Sequence, residues 1–128
     1  MSVVPDEFLH YLETPLFAHL GTVRPDGSPQ VNPMWFSWDG EFIRFTTTTK
    51  RQKYRNVQHD KRVSISILDP DDPYLYLEVR GEVVDIQPDP EGTFYVELSE
   101  RYSDPRPAPP DSPTRVIITV RPTAAHGK

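Results

Sequence analysis

Between residues 63 and 67 the chain alternates strictly, with Val63, Ile65 and Ile67 on one side and Ser64 and Ser66 on the other. Only an extended strand with one face in a core and one outside it places both sets where they belong. The same period of two recurs at Leu16, Ala18 and Leu20, at Ile43 and Phe45, at Leu75, Leu77 and Val79, and at Val116, Ile118 and Val120. A further aromatic-rich stretch, Gln30 to Trp38, is strand-like, but Pro29 and Pro33 cannot donate to a ladder, so it belongs at a sheet edge or carries a break.

Turn chemistry separates these runs. Pro25-Asp26-Gly27-Ser28 forms a turn, and Asp39-Gly40 marks a tight hairpin into the strand Glu41 to Thr48. Gly81 is read as a bulge or barrel bend after which the inward phase moves to Val84 and Ile86. Helical spacing is confined to three short stretches. Residues 5–13 have Pro5 at a first helical position and Phe8, Leu9 and Leu12 on one face. Thr49 is placed as the N-cap of a basic helix from about Lys50 to Gln58. Asp89-Pro90-Glu91 opens a third helix with Phe94, Leu98 and Tyr102 four apart. Five prolines between Ser103 and Pro113 predict an extended connector, and the polar tail to Lys128 is expected to fray. The sum is a mainly β (α+β) chain, a small barrel of six strands in mostly antiparallel order with two or three short helices.

A chain of 128 residues is expected to form one domain, 1–128, with a packed core. No window has the roughly 18 to 20 apolar residues of a membrane span, and the acidic opening MSVVPDEFLHYLE lacks the basic and greasy run of a signal peptide, so a cytoplasmic protein with no membrane partner is expected. With no cysteine there is no thiolate nucleophile, disulfide or Cys-based metal site.

The net charge of −5 argues against nucleic acid as a partner, yet it hides an asymmetry. Lys50, Arg51, Lys53, Arg55, Lys61 and Arg62 face only Asp60 between residues 50 and 62, a local +5. Eleven of the nineteen acids lie between Asp69 and Asp104, a half expected to face solvent. The junction from Thr46 through Thr49 into Lys50, Arg51 and Lys53 combines hydroxyls, amides at a helix start and cations, the chemistry of a phosphate or carboxylate site. A solvated basic face is the plain alternative. Trp35, Phe36 and Trp38 either present a flat apolar surface to a planar ring or fill the barrel core. His10, His19, His59 and His126 have no ligand spacing for a metal, and Pro70 and Pro73 break any calcium-loop pattern at Asp69, Asp71 and Asp72. No Gly-x-Ser-x-Gly turn, dinucleotide fingerprint or Walker loop is present.

Four motifs in order resemble the flavin and deazaflavin split-barrel family related to pyridoxamine 5′-phosphate oxidase, especially its branch using coenzyme F420. They are Leu20-Gly21-Thr22-Val23 with Pro25 to Val31; Gln52-Lys53-Tyr54-Arg55-Asn56 with Asp60 to Val63; the strand around Gly81, Leu77 to Val83; and Arg101 to Pro107 leading to Arg115 to Val120. The last is most similar to the deazaflavin-dependent biliverdin reductases of that family. The resemblance covers nearly the whole chain. It implies an FMN-binding type of split barrel and a homodimer with two cofactor sites between the subunits. It also implies that Thr46, Thr47, Thr48, Arg51 and Lys53 hold the cofactor phosphate and that Gln30, Asn32, Pro33 and Met34 line the ring. A reduced deazaflavin carries its own hydride, so no conspicuous catalytic side chain is required. The expected activity is an F420-dependent reduction of a small conjugated or planar substrate, such as biliverdin. An FMN-dependent oxidase or reductase of the same fold and a non-catalytic deazaflavin-, flavin- or haem-binding protein are the alternatives.

Overall fold

The computed structural model describes residues 3–128; Met1 and Ser2 of the expected 1–128 domain lie outside them. The stretch anticipated as one N-terminal helix forms a 3-10 turn, Asp6–Phe8, and a single helical turn, α1 (His10–Glu13). Seven strands follow: β1 (Ala18–Val23), β2 (Pro29–Met34), β3 (Ser37–Trp38), β4 (Ile43–Thr48), β5 (Arg62–Leu68), β6 (Tyr76–Pro88) and β7 (Arg115–Gly127). Helix α2 (Gln52–His59) separates β4 from β5, and α3 (Thr93–Arg101) separates β6 from β7.

The strands form one antiparallel sheet in the order β2-β1-β5-β6-β7-β4-β3. Its two outermost members are joined in the chain only by Trp35 and Phe36. Met34 and Ser37 are three Cα steps apart, so the two ends of the sheet meet within about 11 Å, and the sheet has to curl into a half-barrel. The expectation of six strands fails at this corner. The aromatic stretch 30–38 breaks at Trp35-Phe36 into two strands at opposite ends of the sheet, because one strand cannot follow both edges. Tyr102, at the C-terminus of α3, pins the break: its hydroxyl accepts the Phe36 N–H at 3.0 Å and donates to the Leu16 carbonyl at 2.6 Å.

Inward residues follow the period of two read from the sequence. Ala18 and Leu20, Ile43 and Phe45, Val63, Ile65 and Ile67, Leu77 and Val79, and Val116, Ile118 and Val120 are all buried, joined by Leu12, Phe36 and Val57. Each large side chain taken out of water contributes roughly 1.5–3 kcal/mol before entropy is counted. The phase change in β6 differs from expectation. Val83 stays inward and Val84 is 40% exposed, because the ladder slips twice, between Arg80 and Gly81 and between Val83 and Asp85, rather than once. Gly81 sits opposite Pro122, where a Cβ would come within 2.7 Å of the Arg121 carbonyl oxygen, so only glycine lets β6 and β7 approach there.

The polar C-terminus does not fray. Residues 121–127 continue β7 along the far half of β6, and Lys128 exchanges both backbone bonds with Tyr76. A long partner strand supplies ladder bonds that make up for weak side-chain patterning. Among the described residues no helix is long and apolar enough to cross a membrane.

Candidate anion and planar-ligand site

The strand β4 runs from the Asp39-Gly40 hairpin to three consecutive buried threonines, Thr46, Thr47 and Thr48. Strand alternation divides them. Thr47 follows Phe45 and Ile43 on the core side, whereas Thr46 and Thr48 share the other face, with Arg115 of β7 directly opposite Thr48. Arg115 lies against this face, donating from Nη1 to Thr46 Oγ1 at 3.3 Å. A guanidinium can only donate, so Thr46 accepts and keeps its own hydroxyl proton for another partner. Asp111 holds the rest of the Arg115 fork at 2.9 and 3.1 Å, and the Tyr95 ring lies 4.8 Å beneath it.

The chain then turns through Thr49 and Lys50 into α2. Helix α2 starts at Gln52, two residues later than expected, and the residue at its cap is Arg51, which makes no side-chain capping bond. Thr49 is not the cap because its N–H extends the β4–β7 ladder to the Thr114 carbonyl at 3.0 Å. The first amides of α2 are left without intrahelical partners, the arrangement that favours an anion in front of a helix.

Lys53 is half-buried one residue into that helix. Its ammonium donates to the Met34 sulfur at 3.4 Å, and no carboxylate among the described residues lies within ion-pair distance. Burial, and then the positive charges of Arg51 and Arg115, hold its pKa below the ordinary lysine value. Three cations facing one another with one carboxylate, Asp111, among them form a site short of negative charge.

On the facing edge, Gln30, Asn32 and Met34 share the side of β2 that pairs with Thr22, Leu20 and Ala18 of β1, all buried. Pro33 points to the opposite face, across from His19, so it does not join the other three. Asn56 of α2, fully buried, donates to Gln30 Oε1 and to Thr22 Oγ1, each at 3.0 Å. The two groups of residues picked out by resemblance are thereby joined in space, Lys53 directly to Met34 and, through Asn56 of the same helix, to Gln30. Trp35 packs on Tyr102 at 5.1 Å rather than joining this surface, and Phe36 and its neighbours fill the core.

Two members of the site carry no role in the sequence reading. Arg115 stands 62 positions after Lys53 as a single arginine, and only the pairing of β4 with β7 brings it beside Thr46. Asn56 is a polar residue in a polar helix, and its burial is the only signal of its importance. A pocket of about 260 Å3 between Thr49, Tyr54, Ile86 and Arg115 adjoins the cations. A cleft of about 740 Å3 lies elsewhere, over Gly21, Ser64 and Gly81, and contains none of the residues expected to hold the phosphate or line the ring. Its Arg62 is paired with Asp60 and its Arg24 donates to Ser28 and the Pro29 carbonyl, so these two cations have hydrogen-bond acceptors, whereas the ammonium of Lys53 has only a thioether among the described residues.

Comparison with known proteins agrees with this architecture. A solved structure described as an F420 reductase is 60% identical to the chain, covers 96% of it and 98% of its own length, and superposes with a TM-score of 0.93. The conserved hypothetical protein Rv2991 from Mycobacterium tuberculosis is 25% identical, with 98% of this chain and 85% of that one covered and a TM-score of 0.73. General Stress Protein 26 from Bacillus anthracis str. Sterne shares the fold at 21% identity and a TM-score of 0.73, covering 95% and 91% of the two chains. No curated protein matches the chain. The family model for pyridoxamine 5′-phosphate oxidase matches residues 4–128, and the chain belongs to that split-barrel family.

Proposed function

We propose that the protein is a reductase that uses coenzyme F420 to reduce a small conjugated or planar acceptor, a tetrapyrrole such as biliverdin being one such compound. The observation that carries this reading is Lys53: a half-buried ammonium with a thioether for its only partner among the described residues, beside Arg51 and Arg115, awaits an anion. The 60% identical F420 reductase supports the choice of deazaflavin, and the further cations of the basic island outside the Asp60 pair, Lys50, Arg55 and Lys61, favour a cofactor that adds carboxylates to its phosphate.

In this reading Lys53, Arg51 and Arg115 bind the phosphate, and the Thr46 and Thr48 hydroxyls donate to it. Thr47 remains on the core side of β4 and supports the strand. Gln30, Asn32 and Met34 present one face of β2 to the ring, while Pro33 stiffens the backbone between Asn32 and Met34. Bound in its reduced form, the deazaflavin would supply the hydride, and water the proton, that reduce the acceptor. The residues named here bind and orient. One domain carries the site, and two copies pair along β2, an edge strand whose Val31 is 64% exposed, with the sites between them.

The test is a fluorescence titration of the purified protein with oxidised F420 and, in parallel, FMN at low and high salt. Micromolar or tighter binding of F420, weakened by salt, is expected. Preference for FMN would make the protein a flavin enzyme of the same fold, and binding of neither would leave the cations without this ligand.

A further inference from the structure

Four side chains of α2 and β2 form a relay whose direction is fixed at one end by an arginine. The Arg55 guanidinium, which has no acceptor, donates to Gln52 Oε1 at 2.8 Å. With its oxygen taken, the Gln52 amide turns Nε2 toward Asn56 and donates to Asn56 Oδ1, also at 2.8 Å. Asn56 then has only its nitrogen left, and its two N–H bonds go to Thr22 Oγ1 and Gln30 Oε1 at 3.0 Å each. Each amide hands on the same polarity, so Gln30 has its oxygen turned inward and its nitrogen turned away from the helix. Asn56 is fully buried, and every hydrogen-bonding direction of its amide that the relay needs is used. Gln30 Nε2 has no partner among the described residues. Nor is it a fully buried atom, because Arg101 Nη1 alone is buried and unpartnered among them.

We infer that Asn56 is a positioning residue for the ligand: through Gln30 it presents two N–H donors and no acceptor beside Met34 and Asn32. The inference rests on the proposed cofactor site. It adds that the part of the ring edge facing Gln30 must offer a lone pair, a carbonyl oxygen or an unprotonated ring nitrogen, and that an N–H group there is rejected. A wrong pairing would leave two donors facing two donors, which is costly away from bulk water.

The relay can be reversed without emptying it. In Asn56→Asp the buried group only accepts, so Gln30 must turn its nitrogen inward and show its oxygen to the ligand. The Gln52 amide still donates to the new carboxylate, and the Thr22 hydroxyl, which accepts from Asn56 in the parent, turns its proton toward it. Gln52→Glu, which does not touch Gln30, reverses the chain one step earlier and serves if the first variant does not fold. Each is expected to weaken F420 binding about tenfold, the worth of one hydrogen bond, and to move the absorption band of the bound deazaflavin as Gln30→Met does.

The decisive measurement is the double variant. A new negative charge would weaken an anionic ligand whatever stands at position 30, whereas a relay acts only through Gln30. In the Gln30→Met background the reversal is therefore expected to cost no further affinity and to leave the band in place. Losses that multiply, or a parental band unchanged by Asn56→Asp and Gln52→Glu, would overturn the relay while leaving F420 binding by the parent intact. A parent that binds neither F420 nor FMN would overturn the proposed function and the relay together.

Discussion

The two ends of β4 are built on opposite electrostatic terms. At its start the Asp39 carboxylate accepts from the Glu41 and Phe42 amides at 2.8 and 2.7 Å and from Arg44, so charge and donors balance within six residues. Gly40, at a φ of +97°, supplies the left-handed turn that brings those amides round. At its end Arg51, Lys53 and Arg115 converge with Asp111 as the one opposing carboxylate, and Lys53 is buried against its preference. The first end is satisfied by its own sequence and serves the fold. The second is left short of negative charge, which disfavours the empty protein and is relieved when an anion arrives.

The sharpest way to break the contrast is at Lys53. Lys53→Met is expected to lower F420 affinity by about 1.5–3 kcal/mol, roughly 10- to 150-fold, from the loss of a charge-assisted hydrogen bond. The same change removes a half-buried cation beside two others, so the melting temperature of the ligand-free protein should hold or rise. A titration and a thermal melt on one sample decide it. A fall in stability that matches the fall in affinity would show that Lys53 serves the fold and that the ends of β4 do not differ in kind.

The converse substitution, Asp39→Ala, removes acceptors for two turn amides and a partner for Arg44. Its side chain is 43% exposed, so the loss is expected to be about 1 kcal/mol of stability, with F420 affinity unchanged. Calorimetry and the same titration measure both. Weakened binding would mean that the hairpin communicates with the far end of the strand.

How far the sequence spoke for each end follows from the range of the interactions involved. The Asp39-Gly40 hairpin, the turn at Gly27 and the inward residues of β1, β4 and β5 depend on neighbours two to five positions away, and local pattern was enough to place them. The basic junction was visible as charge, and Lys53 and Met34 do meet there. Arg115 and Asn56 were not visible, because their partners lie 69 and 34 or 26 positions away and only the closure of the sheet brings them together. The break at Trp35-Phe36 escaped for the same reason: its cause is the Tyr102 hydroxyl, 66 positions on. Pro33 shows the reverse error. It is grouped by resemblance with Asn32 and Met34, but a period of two sends it to the other face of β2 from them.

The smallest effect separates the two ends by pH. At Asp39 burial pushes the pKa up, but the Phe42 and Glu41 amides and Arg44 outweigh it and hold the carboxyl at about 2, against 3.8 in a free chain. The unfolded chain therefore takes up this proton first as pH falls, so the contribution is complete above about pH 4 and is lost as pH drops through about 2. Lys53 also has its pKa lowered, by burial first and then by Arg51 and Arg115. Here the folded chain gives up the proton before the unfolded one does. The penalty is constant at neutral pH and is relieved as pH rises toward the ordinary lysine range, where the raised pKa values of Tyr11 and Tyr102 act in the opposite direction. Differences between parent and variant cancel the tyrosines. Asp39→Asn should flatten part of the acid limb and leave the alkaline limb alone, Asp60 supplying another share of the acid response with a carboxyl also at about 2. Lys53→Met should do the reverse. If one substitution alters both limbs, the two ends of β4 titrate as a single network, and the division between a satisfied end and an open one is lost.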